Sequence, residues 1–180
     1  IARRRPHDLA NAAAAAAVAL SLGADDAAVA AELASFAGLA HRLQTVARVG
    51  GVAFHDDSKA TTPHAVLAAM AGFDGAVLIA GGRMKGVDLA PLAALAPRLA
   101  AVVAVGEAAP EIAALFEGRT KVARAASMRE AVDLALSLAQ PGGDVVLSPG
   151  CASFDWYRDY AERGDDFAAE VERLAAEAAS

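Results

Sequence analysis

The 180-residue chain has only one cysteine, Cys151. A lone thiol cannot close an internal disulfide, which fits a reducing compartment such as the cytoplasm. Its place in a hydroxyl-rich turn raises the idea of a nucleophile. No histidine is close in sequence, however, and a small buried thiol is the commoner fate. Positive charge is also in deficit: 16 Lys and Arg face 22 Asp and Glu, for a net charge of −6. Nucleic acid therefore finds no electrostatic reason to bind, and an anionic ligand must be met by local cations such as Arg42, Lys59 and Lys85. No apolar run is long and uninterrupted enough to span a bilayer. Arg3-Arg4-Arg5 before an alanine run imitates a signal peptide, but His7, Asp8 and Asn11 interrupt it and alanine is only weakly hydrophobic. The missing initiating methionine leads to the expectation of a fragment or a trimmed chain. Neither a Walker A spacing nor a glycine-x-glycine-x-x-glycine turn occurs, so the usual phosphate-loop and dinucleotide signatures are both absent.

What is present is a globular composition, 56% hydrophobic and 21% charged, with room for one full domain and an appendage. Much of the apolar content is alanine, so the core must rest on Val, Leu, Ile and Phe. Asp8 to Leu20 reads as a helix capped by Asp8 and ended by Gly23, and a second helix runs from Asp25 or Asp26 to Phe36. A linker follows at Gly38 to Arg42, and the pattern then changes from helical to alternating. Leu43 to Val49 and Val52 to His55, joined by Gly50-Gly51, predict a β-hairpin. Short apolar strands at 76–80, 101–105, 120–123 and 145–147 then alternate with helical stretches at 89–99, 108–116, 128–139 and 156–175, the last broken near Gly164. That alternation predicts an α/β fold: a Rossmann-like, mostly parallel sheet with helices on both faces, preceded by a short helical segment. The change of pattern puts the domain boundary between residues 38 and 39.

Chemistry concentrates in Phe54-His55-Asp56-Asp57-Ser58-Lys59-Ala60-Thr61-Thr62-Pro63. Two carboxylates, an ammonium and three hydroxyls lie there between a strand and a helix whose first turn holds Pro63. Ligands of open α/β sheets bind at such strand ends. A second hydroxyl-rich turn, Leu147-Ser148-Pro149-Gly150-Cys151-Ala152-Ser153-Phe154-Asp155, follows another strand and can face the same ligand. Gly81-Gly82-Arg83-Met84-Lys85-Gly86 ends a third strand. By itself it reads equally well as a flexible turn with a solvated lysine. Asn11 by itself reads as an ordinary helix amide, and His41-Arg42 as a solvated pair.

Asp56-Asp57-Ser58-Lys59-Ala60-Thr61, Ser148 to Asp155, and Arg163-Gly164-Asp165-Asp166-Phe167 together resemble the muramyl (Mur) ligase family of peptidoglycan precursor synthesis. They come nearest to its D-glutamate-adding members. The resemblance implies that residues 1–38 are the last helices of a central ATPase domain and 39–180 a C-terminal amino-acid-binding domain. It further implies an ATP- and Mg2+-dependent ligase, acting as a monomer, that joins D-glutamate to UDP-N-acetylmuramoyl-L-alanine through an acyl phosphate. Thr61, Lys85, Ser153 and Tyr160 are then expected at D-glutamate, and Asn11, His41, Arg42, Asp57 and Lys59 at the nucleotide. Asp57 is open between ribose and a metal-bound water. Asp8 stands where the family has the first asparagine of a histidine-asparagine-x-x-asparagine phrase, here His7-Asp8-Leu9-Ala10-Asn11. The magnesium ligands and phosphate loop of the family have no counterpart in these residues, so the chain alone is expected to be inactive. Alternatives are another Mur or folylpolyglutamate-type ligase domain, and a non-catalytic Rossmann-like binding module.

Overall fold

A computed structural model describes residues 6–179, with side chains from Asp8 onward, so His7 and the arginine run before it lie outside the described side chains. Two compact units emerge, one ending at Ala40 and the other beginning at His41. The first holds two helices, α1 (Pro6–Ser21) and α2 (Asp26–Ser35). Helix α1 begins two residues before the expected Asp8, because proline suits a first turn where its missing N–H costs nothing. Its end is a glycine stop: Gly23 has φ +88° and Ala24 N–H reaches back to the Ala19 carbonyl at 3.0 Å. The Asp25 carboxylate caps α2 by accepting from Ala28 N–H at 3.0 Å. No residue of α2 is buried, and Leu9, Val18, Leu22, Phe36 and Leu39 are all exposed.

From His41 onward the chain builds a six-stranded sheet. Its strands are β1 (Gln44–Val49), β2 (Val52–Asp56), β3 (Ala76–Gly81), β4 (Leu99–Val105), β5 (Lys121–Ala125) and β6 (Asp144–Gly150), in the order β1-β2-β6-β3-β4-β5. Only β1 and β2 pair antiparallel. Their hairpin turn is Gly50-Gly51, both with positive φ, which glycine adopts without the steric cost of a side chain. Helices α3 (Pro63–Met70) and α4 (Ala109–Phe116), with a 3-10 helix (Ala90–Arg98), cover one face, while α5 (Met128–Leu138) and α6 (Tyr160–Ala178) cover the other. Strand β3 shows why its sequence is apolar throughout. Leu78 and Ala80 pack with Val66, Leu92, Ile112 and Phe116, while Val77 and Ile79 pack with Val132, Phe167 and Val171. Each large aliphatic side chain so buried stabilises the fold by about 1.5–3 kcal/mol.

Two helical expectations need correction. The stretch expected as a helix over 89–99 is a 3-10 helix containing Pro91 and Pro97, and the N–H that Pro97 lacks removes a bond an α-helix would need. The last helix starts at Tyr160 rather than Trp156, because the Asp159 carboxylate accepts from Ala161 and Glu162 N–H at 2.9 Å each. It also runs through Gly164 without a break. Gly164 is there for lack of space: a Cβ would collide with His41 Nδ1 and lie 2.6 Å from Asp56 Oδ2.

Candidate functional site

Strands β2, β6, β3 and β4 are parallel, so their carboxyl ends share one edge of the sheet. Strand β6 enters between β2 and β3, so the direction of winding reverses there, the position at which open sheets form a crevice. Four turns meet at this edge: 56–62 after β2, 81–86 after β3, 106–108 after β4 and 150–155 after β6. Backbone bonds hold them together. Gly150 N–H donates to the Ala60 carbonyl at 2.8 Å, Ala108 N–H to the Gly82 carbonyl at 2.9 Å, and Arg83 and Ala152 exchange bonds of 2.8 and 3.0 Å. Gly81, Gly82 and Gly106 permit this closeness, since a Cβ at each would strike Val105, Ala152 or Asp155 respectively.

Much of the polar density after β2 is consumed internally. Asp56 is buried; its Oδ2 lies 2.7 Å from His41 Nδ1 and its Oδ1 accepts from Ser58 N–H at 2.8 Å. Asp57 is buried as well, accepting from Leu43 N–H at 3.2 Å and from Ser148 Oγ–H at 2.8 Å. Ser58 Oγ donates to the Tyr160 carbonyl at 2.7 Å and accepts from Arg163 Nε–H at 2.9 Å. These bonds hold the 41–43 segment in place, where His41 and Leu43 have φ of +58° and +49°. A left-handed conformation in a residue with a side chain costs about 1–3 kcal/mol and persists where the surroundings over-determine it. The other non-glycine with positive φ among the described residues is Lys85, at +49°, so all three belong to this region.

Two lysines remain available for ligand chemistry. Lys59 Nζ stands 3.7 Å from the Tyr160 ring centroid, and Lys85 Nζ 4.0 Å from that of Phe154. Cation–ring contacts at partly exposed sites are worth about 0.5–1 kcal/mol, weak enough for an arriving carboxylate or phosphate to displace. Ser153 is buried one residue before Phe154, and Asp155 accepts from Glu107 N–H at 2.9 Å. Burial pushes the Cys151 thiol up to about 11, despite the nearby Arg163 charge. It is protonated at neutral pH and a poor nucleophile. Burial likewise lowers Arg163 to about 10, which leaves it a cation at neutral pH. Among the described residues no cluster of three or more His, Cys, Asp or Glu is placed to hold a metal ion.

The structure thus brings His41, Lys59 and Tyr160 into one contact group, with the His41 and Tyr160 ring centroids 6.0 Å apart. Lys85 and Ser153 lie on two turns joined by the Arg83–Ala152 bridge. Thr61 follows Ala60, whose carbonyl ties it to the turn after β6. Arg42 is exposed beside His41, and Asn11 is exposed on α1 in the other unit. Reasoning from sequence missed the roles of Ser148, Phe154 and Arg163. Nothing local marked Arg163: the glycine after it, which disfavours a helix by about 1 kcal/mol, answers to His41 and Asp56 instead.

Comparison with known proteins finds relatives by sequence and by fold. The sequence model of the Mur ligase, glutamate ligase domain, matches residues 41–151. A curated relative from Methylococcus capsulatus, UDP-N-acetylmuramoylalanine--D-glutamate ligase, is 48% identical over 171 residues, which is 94% of this chain and 37% of the relative. The protein of that name from Syntrophotalea carbinolica is 45% identical over 141 residues, 77% of this chain and 31% of the relative. The chain therefore spans roughly a third of the length of these relatives. Among solved structures, UDP-N-acetylmuramate-alanine ligase from Thermotoga maritima aligns with a TM-score of 0.69 at 19% identity, over 97% of this chain and 39% of that one. MurF ligase from the same organism, in complex with ADP, aligns with a TM-score of 0.63 at 20% identity, over 94% and 38%. At such identities the two structures speak for the fold.

Proposed function

The chain belongs to the Mur ligase family, through its glutamate ligase domain, and from that premise we propose that it is the amino-acid-binding part of an ATP-dependent, amide-forming ligase. The product reading is addition of D-glutamate to UDP-N-acetylmuramoyl-L-alanine, a step in peptidoglycan precursor synthesis. The observation that carries it is the 48% identity, over 94% of the chain, to a relative named for that reaction. Residues 39–180 serve as the amino-acid domain, and 1–38 belong with a central ATPase domain.

Amide formation in water needs an activated acyl group, here an acyl phosphate made at the expense of ATP. The amine nitrogen of D-glutamate attacks the acyl carbon, the bond from that carbon to the phosphate oxygen breaks, and phosphate leaves as the nitrogen sheds a proton. The chain's own residues position and neutralise. Lys85, Thr61 and Ser153 hold the two carboxylates of D-glutamate, and Tyr160 lies against the substrate. Lys59, Arg42, His41 and Asn11 serve the nucleotide, Arg42 through a guanidinium fork suited to phosphate, and Asp57 serves it through the backbone it holds at Leu43, next to Arg42. Mg2+ is assigned in this reading to other parts of the longer protein, and no step here runs through it. The substrates are water-soluble nucleotides and an amino acid, which suits action in the cytoplasm; a monomeric state is part of the same proposal. Phosphate release by the longer protein, supplied with ATP, Mg2+ and UDP-N-acetylmuramoyl-L-alanine, tests the reading. Release that requires D-glutamate and ignores L-glutamate is the expected result; release driven by another amino acid would redirect the assignment.

A further inference from the structure

We propose that Arg163 is a positioning residue for the amino-acid pocket: its buried guanidinium fixes the turns that carry Lys59 and Thr61, Ser153, and Lys85 in one register. The pocket's ligand rests on the function proposed above; the register does not. Arg163 is 2% exposed and among the largest fully buried side chains. Its Nε–H donates to Ser58 Oγ at 2.9 Å, one Nη–H to the Ser58 carbonyl at 2.8 Å, and the other to the Cys151 carbonyl at 3.2 Å. The same guanidinium packs on Gly82, where an added Cβ would lie 3.2 Å from Nη1. One planar group thus touches the turn after β2, the turn after β6 and the turn after β3.

The residues it touches are neighbours of those assigned to ligands. Ser58 precedes Lys59, Cys151 lies two before Ser153, and Gly82 lies three before Lys85. Ser58 Oγ passes the constraint on to the Tyr160 carbonyl, and the Tyr160 ring carries the Lys59 ammonium. A cation so buried is costly; the Asp155 and Asp56 charges nearby favour it, yet among the described residues no carboxylate is bonded to it, and its acceptors are two carbonyls and a hydroxyl. An apolar side chain would fill the volume more cheaply. What it lacks is a rigid fork that meets acceptors on separate turns at fixed angles. Arg163 does not touch substrate and acts only through those turns.

Two measurements test this. In the first, amide NMR spectra of the 180-residue protein are compared with those of Arg163→Lys, which keeps the charge and loses the fork. Ser58→Ala, which removes one acceptor, serves if the lysine variant fails to fold. Shifts at Lys59, Lys85 and Ser153 together, with β5 and α5 unmoved, are expected; shifts confined to Ser58 and α6 overturn the proposal. In the second, the longer ligase carrying Arg163→Lys is assayed. Its kcat/KM for D-glutamate should fall about 10- to 100-fold, the scale of an ångström's misplacement, with KM for the UDP substrate within about twofold of the parent. A lower kcat with both KM values unchanged, the mark of a smaller folded fraction, overturns it. If the unsubstituted ligase ignores D-glutamate, the functional reading fails, and the register claim is decided by the spectra.

Discussion

Replacing Gly164 with alanine should destabilise the protein, although the same change in an exposed helix ordinarily stabilises by about 0.8–1.0 kcal/mol. The reversal comes from three atoms. An added methyl would overlap His41 Nδ1, lie 2.6 Å from Asp56 Oδ2 and lie 2.8 Å from His41 Cε1. Overpacking of that kind costs about 1–3 kcal/mol. Relief by moving the ring would part His41 from Asp56, now 2.7 Å apart, and a hydrogen bond to a charged group is worth about 1.5–3 kcal/mol. After the gain in propensity, the net loss is roughly 2–5 kcal/mol. Urea unfolding followed by far-UV circular dichroism measures it. Repeating the substitution on His41→Ala closes a double-mutant cycle, in which the penalty should shrink because the obstructing ring is gone. A Gly164→Ala protein as stable as the parent, or a penalty unchanged in the His41→Ala background, would refute the packing described.

The Cys151 thiol, raised by burial from its ordinary 9.0 to about 11, should react slowly with iodoacetamide in the folded protein. The rate should keep climbing with pH beyond 9, and a plateau near pH 9 would contradict burial. A proton held more tightly in the folded state stabilises it, so this contribution is fully present below pH 9 and is lost as pH rises toward 11. Cys151→Ala should lack that part of the alkaline decline in urea midpoint. Hydrogen exchange should find weak protection over Asp8 to Leu20, because α2 buries none of its residues and Leu9, Val18 and Leu22 are exposed. Protection there equal to that of β3 and β4 would show the first unit to be as stable as the second.

The elements of the fold were legible because their signals are local. Apolar runs marked the strands, Gly50-Gly51 marked the hairpin, and Pro63 marked the start of α3. The strand order was not legible: the insertion of β6 between β2 and β3 joins residues roughly 70 to 90 apart in sequence, and no periodicity records it. Prolines at 91 and 97 gave a cue to the 3-10 helix that the amphipathic pattern outweighed. Gly164 read as a helix break because glycine does cost helicity; its reason, the pressing His41–Asp56 pair, lies across the fold. At the site, the cluster of polar residues after β2 was visible but not its division of labour. Asp56, Asp57 and Ser58 find partners within the protein, and those of Asp57 and Ser58 include Ser148 and Arg163, 91 and 105 residues away. Lys59 and Lys85 instead reach the rings of Tyr160 and Phe154, a division that only the packed turns reveal.

The most direct test of the proposed function is the specificity constant of the longer ligase for D-glutamate with and without Lys85→Ala. A carboxylate that loses its ammonium forfeits a charged hydrogen bond of about 1.5–3 kcal/mol. That is a fall of about 10- to 150-fold at the scale of 1.4 kcal/mol per factor of ten. The loss should appear mainly in KM for D-glutamate and leave KM for the UDP substrate near its parent value. An unchanged specificity constant for D-glutamate would remove Lys85 from the proposed site and with it the assignment of that site to the ends of β3 and β6.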